Sequence, residues 1–221
     1  MARGPTTSDR RDHILAAAAV VAALAYLAGL VLDSPALRLV AKPVPAVSLA
    51  LVVLSGGRDR YGQAIAVGLF VSALGDVLLE LPGRFVPGLV SFLAAHVAYT
   101  AAFVHEERHL RIARALPFAV WLLAAFLWLR PGLHELTVPV VVYMLAIGTM
   151  MWRAAARWGA HPGAEVAVVG AILFGLSDTL IAIDRFHAPF PGARYAIILL
   201  YWAGQAGIAS SVRGHADPRP S

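Results

Sequence analysis

Gly68 to Leu81 reads GLFVSALGDVLLEL, a run suited to the interior of a lipid bilayer except that it carries Asp76 and, four residues on, Glu80. Farther along, Gly170 to Ile183 reads GAILFGLSDTLIAI and does the same with Asp178. Aligned on their acids, the two runs match at Gly68/Gly170, Leu74/Leu176, Asp76/Asp178 and Leu78/Leu180, and a small residue, Gly75 or Ser177, precedes each acid. A carboxylate in hydrocarbon is costly unless it is paired, hydrated or protonated, so each acid marks a candidate functional site.

The rest of the chain supports a membrane setting. Of 221 residues, 59% are hydrophobic and only 14% charged, which is more apolar surface than a soluble core of this size needs. Lys and Arg (18) outnumber Asp and Glu (13), but they are scattered singly among short loops, a pattern of bilayer orientation rather than of nucleic-acid binding. With no cysteine there is no disulfide, thiolate ligand or Cys nucleophile.

A window of about 20 residues, the length that spans the hydrocarbon layer, finds eight segments. They are Ile14–Leu32, Ala36–Leu54, Tyr61–Leu81, Phe85–Val104, Leu116–Leu129, Leu136–Met151, Ala164–Ile183 and Ala193–Val212. Breakers such as Asp33-Ser34-Pro35, Pro82-Gly83 and His161-Pro162-Gly163 separate them. The expectation is an all-α polytopic integral membrane bundle of eight transmembrane helices, residues 14–212, between a cytoplasmic tail at 1–13 and a C-terminal tail at 213–221. The first run is long enough to span, so it is read as a helix and not as a signal peptide. Twelve arginines fall on the N-terminal side of the bilayer, among them Arg10, Arg11, Arg108 and Arg153, against five on the other, which predicts both termini in the cytoplasm of a bacterial-type plasma membrane. Asp76 and Asp178 then sit roughly 21–23 Å from the cytoplasmic ends of their helices, level with Lys42 and Tyr143 entering from outside, while His96 and Gln205 lie nearer the midplane. The matching acids in the third and seventh segments also suggest a four-plus-four parallel repeat.

Taken in order, the polar motifs are KPVP (Lys42 to Pro45), Ser72 to Asp76, Phe85 to Tyr99 with His96, Tyr143, Phe174 to Asp178 with Ser177, and YWAGQ (Tyr201 to Gln205). On eight apolar segments this set resembles the YhhN family of membrane proteins, whose animal members are lysoplasmalogenases. The resemblance implies a hydrolase that cleaves the vinyl-ether bond of a lysoplasmalogen-type lysophospholipid, releasing a fatty aldehyde and a glycerophospho head group, with no cofactor. Such chemistry needs a carboxylic acid to protonate the β-carbon and a second group to stabilise the resulting oxocarbenium ion, a division of labour shared with glycosidases. Asp76 and Asp178 are the candidates, since two carboxylates close together in low dielectric do not both ionise readily. Lys42 pairs either with the ionised acid or with the substrate phosphate. His96, Tyr143 and Gln205 orient water or the glycerol hydroxyl, and Ser72 and Ser177 stand beside the acids.

Blander readings remain open for each. The acids and Lys42 can serve only to lock helices together, Lys42 can snorkel to the surface, His96 can be a helix contact, and Glu80 reads most simply as a solvated rim charge. Only His96 of the histidines lies well within a span, which argues against a metal site, and no nucleophile elbow occurs around a serine. The rival functions are a proton-coupled transporter of a small or lipid-like substrate and a non-catalytic scaffold. The basic stretch His105 to Arg114 reads as a loop on the cytoplasmic face, near anionic lipid.

Overall fold

The second apolar segment is not one unbroken helix. Ser34 caps its start by accepting from the Leu37 amide, and Pro35 takes a first-turn position where its missing N–H is no loss. The helix stops at Ala41 because Pro43 and Pro45 remove two of the amide donors the next turn requires, and a second helix begins at Val44. In the computed structural model, which describes residues 7–56 and 59–216, the helices are α1 (Thr7–Val31), α2 (Pro35–Ala41), α3 (Val44–Ser55), α4 (Arg60–Glu80), α5 (Phe85–Glu106), α6 (Leu116–Leu133), α7 (Thr137–Ala156), α8 (Ala164–Phe186) and α9 (Ala193–Ala216). No strand occurs among the described residues. Arg3, Arg58 and Arg219 of the orientation count, and the outer part of each tail, lie outside them.

Seven stretches of the described chain are long and apolar enough to cross a membrane. One is Pro35–Ser55, so the proline break lies inside a span; another, Ile112–Ala156, holds both α6 and α7 in its 45 residues. α6 outlasts its expected end at Leu129 and runs through Pro131 to Leu133. A proline in the final turn removes only one intrahelical hydrogen bond. Large apolar side chains such as Leu24, Leu123, Leu127, Leu145 and Leu199 are exposed, as a lipid-facing surface requires.

The chain divides into two compact units, Met1–Ala95 and His96–Ser221, the division falling within α5. In the first unit α3 packs on α1 and α4, and α2 does the same. Asp59 caps α4 by accepting from the Gly62 amide at 3.0 Å. α4 and the start of α5 run antiparallel, with Ser91 Oγ donating to the Val71 carbonyl at 2.7 Å and Phe92 lying against Gly75.

In the second unit α8 and α9 form an antiparallel pair whose backbones touch. A Cβ added at Gly170 would stand 2.6 Å from the Ile208 nitrogen and 2.7 Å from the Gly204 oxygen. Gly170, Gly204 and Gly207 therefore set the helix separation, the small-residue device by which membrane helices gain dispersion contact without a hydrophobic driving force. Ser177 Oγ donates to the Ile197 carbonyl at 3.0 Å farther along the same seam. α6 and α7 also fold back on each other, since Arg114 reaches the carbonyls of Ala155 and Trp158 at 2.7 and 2.8 Å. At the opposite end, Leu129, Leu133 and Val140 pack with Ile183 and Phe186.

The basic stretch around Arg111 stays exposed, with the His109 side chain 87% and the Arg111 side chain 40% accessible, but it is tied to the helix ends beside it. Arg114 caps α7, complementing its C-terminal dipole. Arg157, fully buried, pairs with Glu106, and Arg153 donates to the main chain of Glu107 and of His109. Hydrogen bonds from the His109 amide, then from its ring and from Arg111, hold the Glu107 carboxyl down at about 2.

Three outcomes follow from this packing. Gly170→Val will force the α8–α9 backbones apart and lower stability by about 1–3 kcal/mol or more, the usual penalty of overpacking. Gly56→Ala, where a methyl group meets nothing closer than 3.8 Å, will leave the thermal midpoint in detergent nearly unchanged. Because the folded carboxyl titrates near 2 and an ordinary glutamate near 4.5, the contribution of Glu107 is fully present above about pH 5 and fades as pH falls through 2. Thermal melts of wild type and Glu107→Gln between pH 7 and pH 2 should differ at neutrality and converge in acid.

Candidate functional site

Asp178 lies on α8 eight residues before Phe186, and its neighbours fix that face of the helix. Ser177 is tied to α9, and Thr179 Oγ1 bonds back to the Gly175 carbonyl at 2.7 Å. Met151 and Trp121 close over Gly175, so α7 comes near enough to bring Tyr143 to the acid. Tyr143 donates to Asp178 Oδ2 at 2.5 Å. His96, on α5, places Nε2 3.0 Å from the Tyr143 hydroxyl and 3.3 Å from the same Oδ2. His96 is wholly buried, and the Asp178 side chain is 13% exposed. One turn before Asp178, Phe174 meets the His96 ring edge-on at 4.8 Å and lies 5.2 Å from Tyr201, which walls the group in aromatic surface.

The hydrogen-bond directions define a tautomer. The Tyr143 hydroxyl donates to Asp178, so the tyrosine oxygen and Oδ2 both offer lone pairs to His96 Nε2, the arrangement that an Nε2–H would satisfy. Oδ2 thus has both the Tyr143 hydroxyl and His96 Nε2 within hydrogen-bond distance. His96 Nδ1 is buried without a hydrogen-bond partner. A bare lone pair there is cheaper than an unmatched N–H, which favours the tautomer with the hydrogen on Nε2 and Nδ1 as an acceptor. A carboxylate that orients one imidazole nitrogen and leaves the other free to take a proton is the logic of a hydrolytic base.

Beside this group, Tyr99, one turn along α5 from His96, donates to Gln205 Oε1 of α9 at 2.6 Å. Both side chains are buried, and Gln205 Nε2 has no hydrogen-bond partner. The second unit thus supplies a free acceptor at His96 and a free donor at Gln205.

In the first unit, Asp76 and Ser72 are both buried, four residues apart on one face of α4. One turn beyond, Glu80 is not the solvated rim charge that its position suggested. Its Oε1 accepts from Lys42 Nζ at 2.9 Å and from the Tyr26 hydroxyl at 3.1 Å, and its Oε2 accepts from Arg38 Nε at 3.3 Å. Only 12% of its side chain is exposed. Lys42 does not snorkel: it stands in the proline break between α2 and α3 with its ammonium on Glu80. Sequence reading passed over Tyr26 and Arg38 as partners of Glu80, although a signal was present, since Arg38/Lys42 and Asp76/Glu80 are each spaced by one helical turn.

Of the residues singled out by sequence, the second unit brings His96, Tyr143 and Asp178 into one hydrogen-bonded group, with Ser177 and Gln205 on the adjoining seam. The first unit holds Ser72, Asp76 and Lys42. No three His, Asp or Glu side chains come together as a metal site among the described residues.

Comparison with known proteins bears on the same chain. The YhhN family matches residues 37–212. The chain is 34% identical to pig lysoplasmalogenase TMEM86B over 181 residues, covering 78% of this chain and 75% of that protein. It is 35% identical to human lysoplasmalogenase TMEM86A over 167 residues (70% and 67%), and 32% identical to a lysoplasmalogenase of Mycobacterium tuberculosis over 151 residues (64% and 57%). No solved structure matches.

Removing the Tyr143 hydroxyl strips Asp178 of its shortest hydrogen bond and His96 of an acceptor. Tyr143→Phe should cost about 1.5–3 kcal/mol, the usual range for a hydrogen bond to a charged group, read as a lowered midpoint in chemical or thermal unfolding in detergent with helical content unchanged.

Proposed function

The chain belongs to the YhhN family, and from that premise we propose that it is a membrane hydrolase that cleaves the vinyl-ether bond of lysoplasmalogen-type lysophospholipids to a fatty aldehyde and a glycerophospho head group. The observation that carries the reading is the buried Asp178–Tyr143–His96 group, a proton-handling arrangement on membrane-spanning helices, in a chain whose relatives from mammals and mycobacteria are named for this activity.

The roles divide as follows. Asp76 is assigned as the acid that protonates the β-carbon of the vinyl ether, and Asp178, whose Oδ2 accepts from Tyr143, as its carboxylate partner. The oxocarbenium ion that forms is stabilised by the Asp178 carboxylate. Water adds to its carbon and gives its proton to His96 Nδ1, while Gln205 Nε2 and the Ser72 and Ser177 hydroxyls orient the reacting oxygens. The hemiacetal then loses its hydroxyl proton as the carbon–oxygen bond to glycerol breaks and the glycerol oxygen is protonated. Return of the proton from His96 to Asp76 through solvent closes the cycle, and the sum is vinyl ether plus water to aldehyde plus alcohol. Acid and base catalysis of this kind is worth about 10²- to 10⁴-fold per group.

We read the segment Ile112–Ala156 as two crossings, since 45 helical residues would extend about 68 Å, twice the hydrocarbon thickness. That gives eight passes through residues 14–212, an even number that leaves both termini on one side, which the excess of arginines assigns to the cytoplasm of a bacterial-type plasma membrane. The four-plus-four repeat belongs to the same reading, with Asp76 and Asp178 as equivalent acids.

The test is to incubate purified protein with a lysoplasmalogen and with its saturated ether analogue, following aldehyde by mass spectrometry. Aldehyde should appear from the first alone, and fall at least about 100-fold in Asp76→Asn and in Asp178→Asn. Folded variants that keep full turnover would overturn the assignment. Flux of lysolipid across liposomes without aldehyde would identify a transporter instead.

A further inference from the structure

The cluster around Glu80 holds more positive charge than its own carboxylate neutralises. Lys42 and Arg38 each have side chains only 11% exposed, and both bond to Glu80. Arg38 also meets Asp33, but that side chain is 92% exposed and its charge is largely screened by water. Donors are left over as well. Lys42 commits one of its three hydrogens, to Glu80, and Arg38 commits Nε to Glu80 and Nη1 to Asp33 and the Gly29 carbonyl, so Nη2 has no partner among the described residues.

From this excess we propose that Lys42 and Arg38, aligned by Glu80 and Tyr26, form a seat for the phosphodiester of the lysolipid, a subsite that selects substrates bearing a phosphate at the third glycerol carbon. The inference rests on the hydrolase reading for the class of lipid, and it deepens that reading by assigning Arg38 to binding and Glu80 to positioning. Two cations that would otherwise repel are held side by side by the shared carboxylate, and the Tyr26 hydroxyl keeps that carboxylate facing them. The ring of Tyr26 lies 5.8 Å from the Lys42 ammonium and limits its swing. Arg offers planar, forked donors and Lys a mobile point charge, a pair well matched to phosphate oxygens.

Spacing supports the assignment. Glu80 follows Asp76 by four residues, about 6 Å along the axis of α4. In an extended lysolipid the ether oxygen on the first glycerol carbon and the phosphorus on the third are five bonds apart, also about 6 Å. An acid acting at the ether and a cationic seat one turn farther on match the two ends of the glycerol.

Binding tests this apart from catalysis. Purified protein in detergent is titrated with saturated 1-alkyl-glycero-3-phosphoethanolamine, which has no vinyl ether, and with 1-alkylglycerol, which has no phosphate, using thermophoresis. Wild type should prefer the phospholipid about 10-fold or more. Lys42→Gln and Arg38→Gln should each weaken it about 10- to 100-fold, the scale of a charge-assisted hydrogen bond, with 1-alkylglycerol changed less than about twofold and Lys42→Arg retaining most of the preference. Millimolar inorganic phosphate should not displace the lipid; displacement would make the seat one for the free anion and reject the subsite. A wild type that binds both lipids equally, or variants that weaken both alike, also overturns it. Should a glutamine variant lose its thermal transition, the preference of wild type and Lys42→Arg decides. Phosphate preference without aldehyde from any vinyl ether would reject the hydrolase and leave the seat standing.

Discussion

A carboxylate placed among apolar helices must be met by donors, and that requirement shapes both units of this chain. Asp178 is met by Tyr143 and His96, and Glu80 by Tyr26, Arg38 and Lys42. Glu106 and Glu107, where α5 ends, are met by arginines and by main-chain donors. Each acid draws in helices that would otherwise have only dispersion forces to hold them, so charge burial becomes a source of structural specificity. The groups differ in what is left over. Around Glu107 the donors close on the carboxylate, whereas beside Asp178 a free lone pair remains at His96 and a free amide at Gln205.

The hydrophobic signal made most of the helices legible, because a span is a matter of length and composition, both of which are printed in the chain. The third, fourth and seventh expected segments reappear with both ends within three residues, while the first begins seven residues early and the sixth and eighth run on by four or five. The second fails as a continuous helix, since a hydropathy window registers Pro43 and Pro45 as mild interruptions while the backbone registers two missing donors. The fifth was cut short by giving Pro131 and Gly132 their usual weight as breakers. Gly132 is in fact a contact, its Cα side pressed against the Phe186 carbonyl, and the helix continues through it.

The site was legible in part, for the same kind of reason. An acid in an apolar run stands out by itself, so Asp76 and Asp178 were found directly, and His96 and Tyr143 followed from their depth. Glu80 was misjudged because one turn beyond Asp76 is the end of the helix, where a charge is ordinarily wet. What keeps it dry is Arg38 and Lys42 on α2 and in the break after it, and Tyr26 on α1. Partners that distant in sequence leave no local trace, and only the one-turn spacing of Arg38 and Lys42 hinted that they act together.

The glycine seam between α8 and α9 has a mechanical consequence. With Gly170 set against Gly204 and Gly207, and Ser177 latched to Ile197, the two helices behave as a single stiff beam carrying Asp178 on one rail and Gln205 on the other. His96, Tyr99 and Tyr143 are carried by α5 and α7 rather than by this beam. The spacing of the beam's own polar groups is therefore set by the glycine seam, and their hydrogen bonds to α5 and α7 are set by how those helices pack on it.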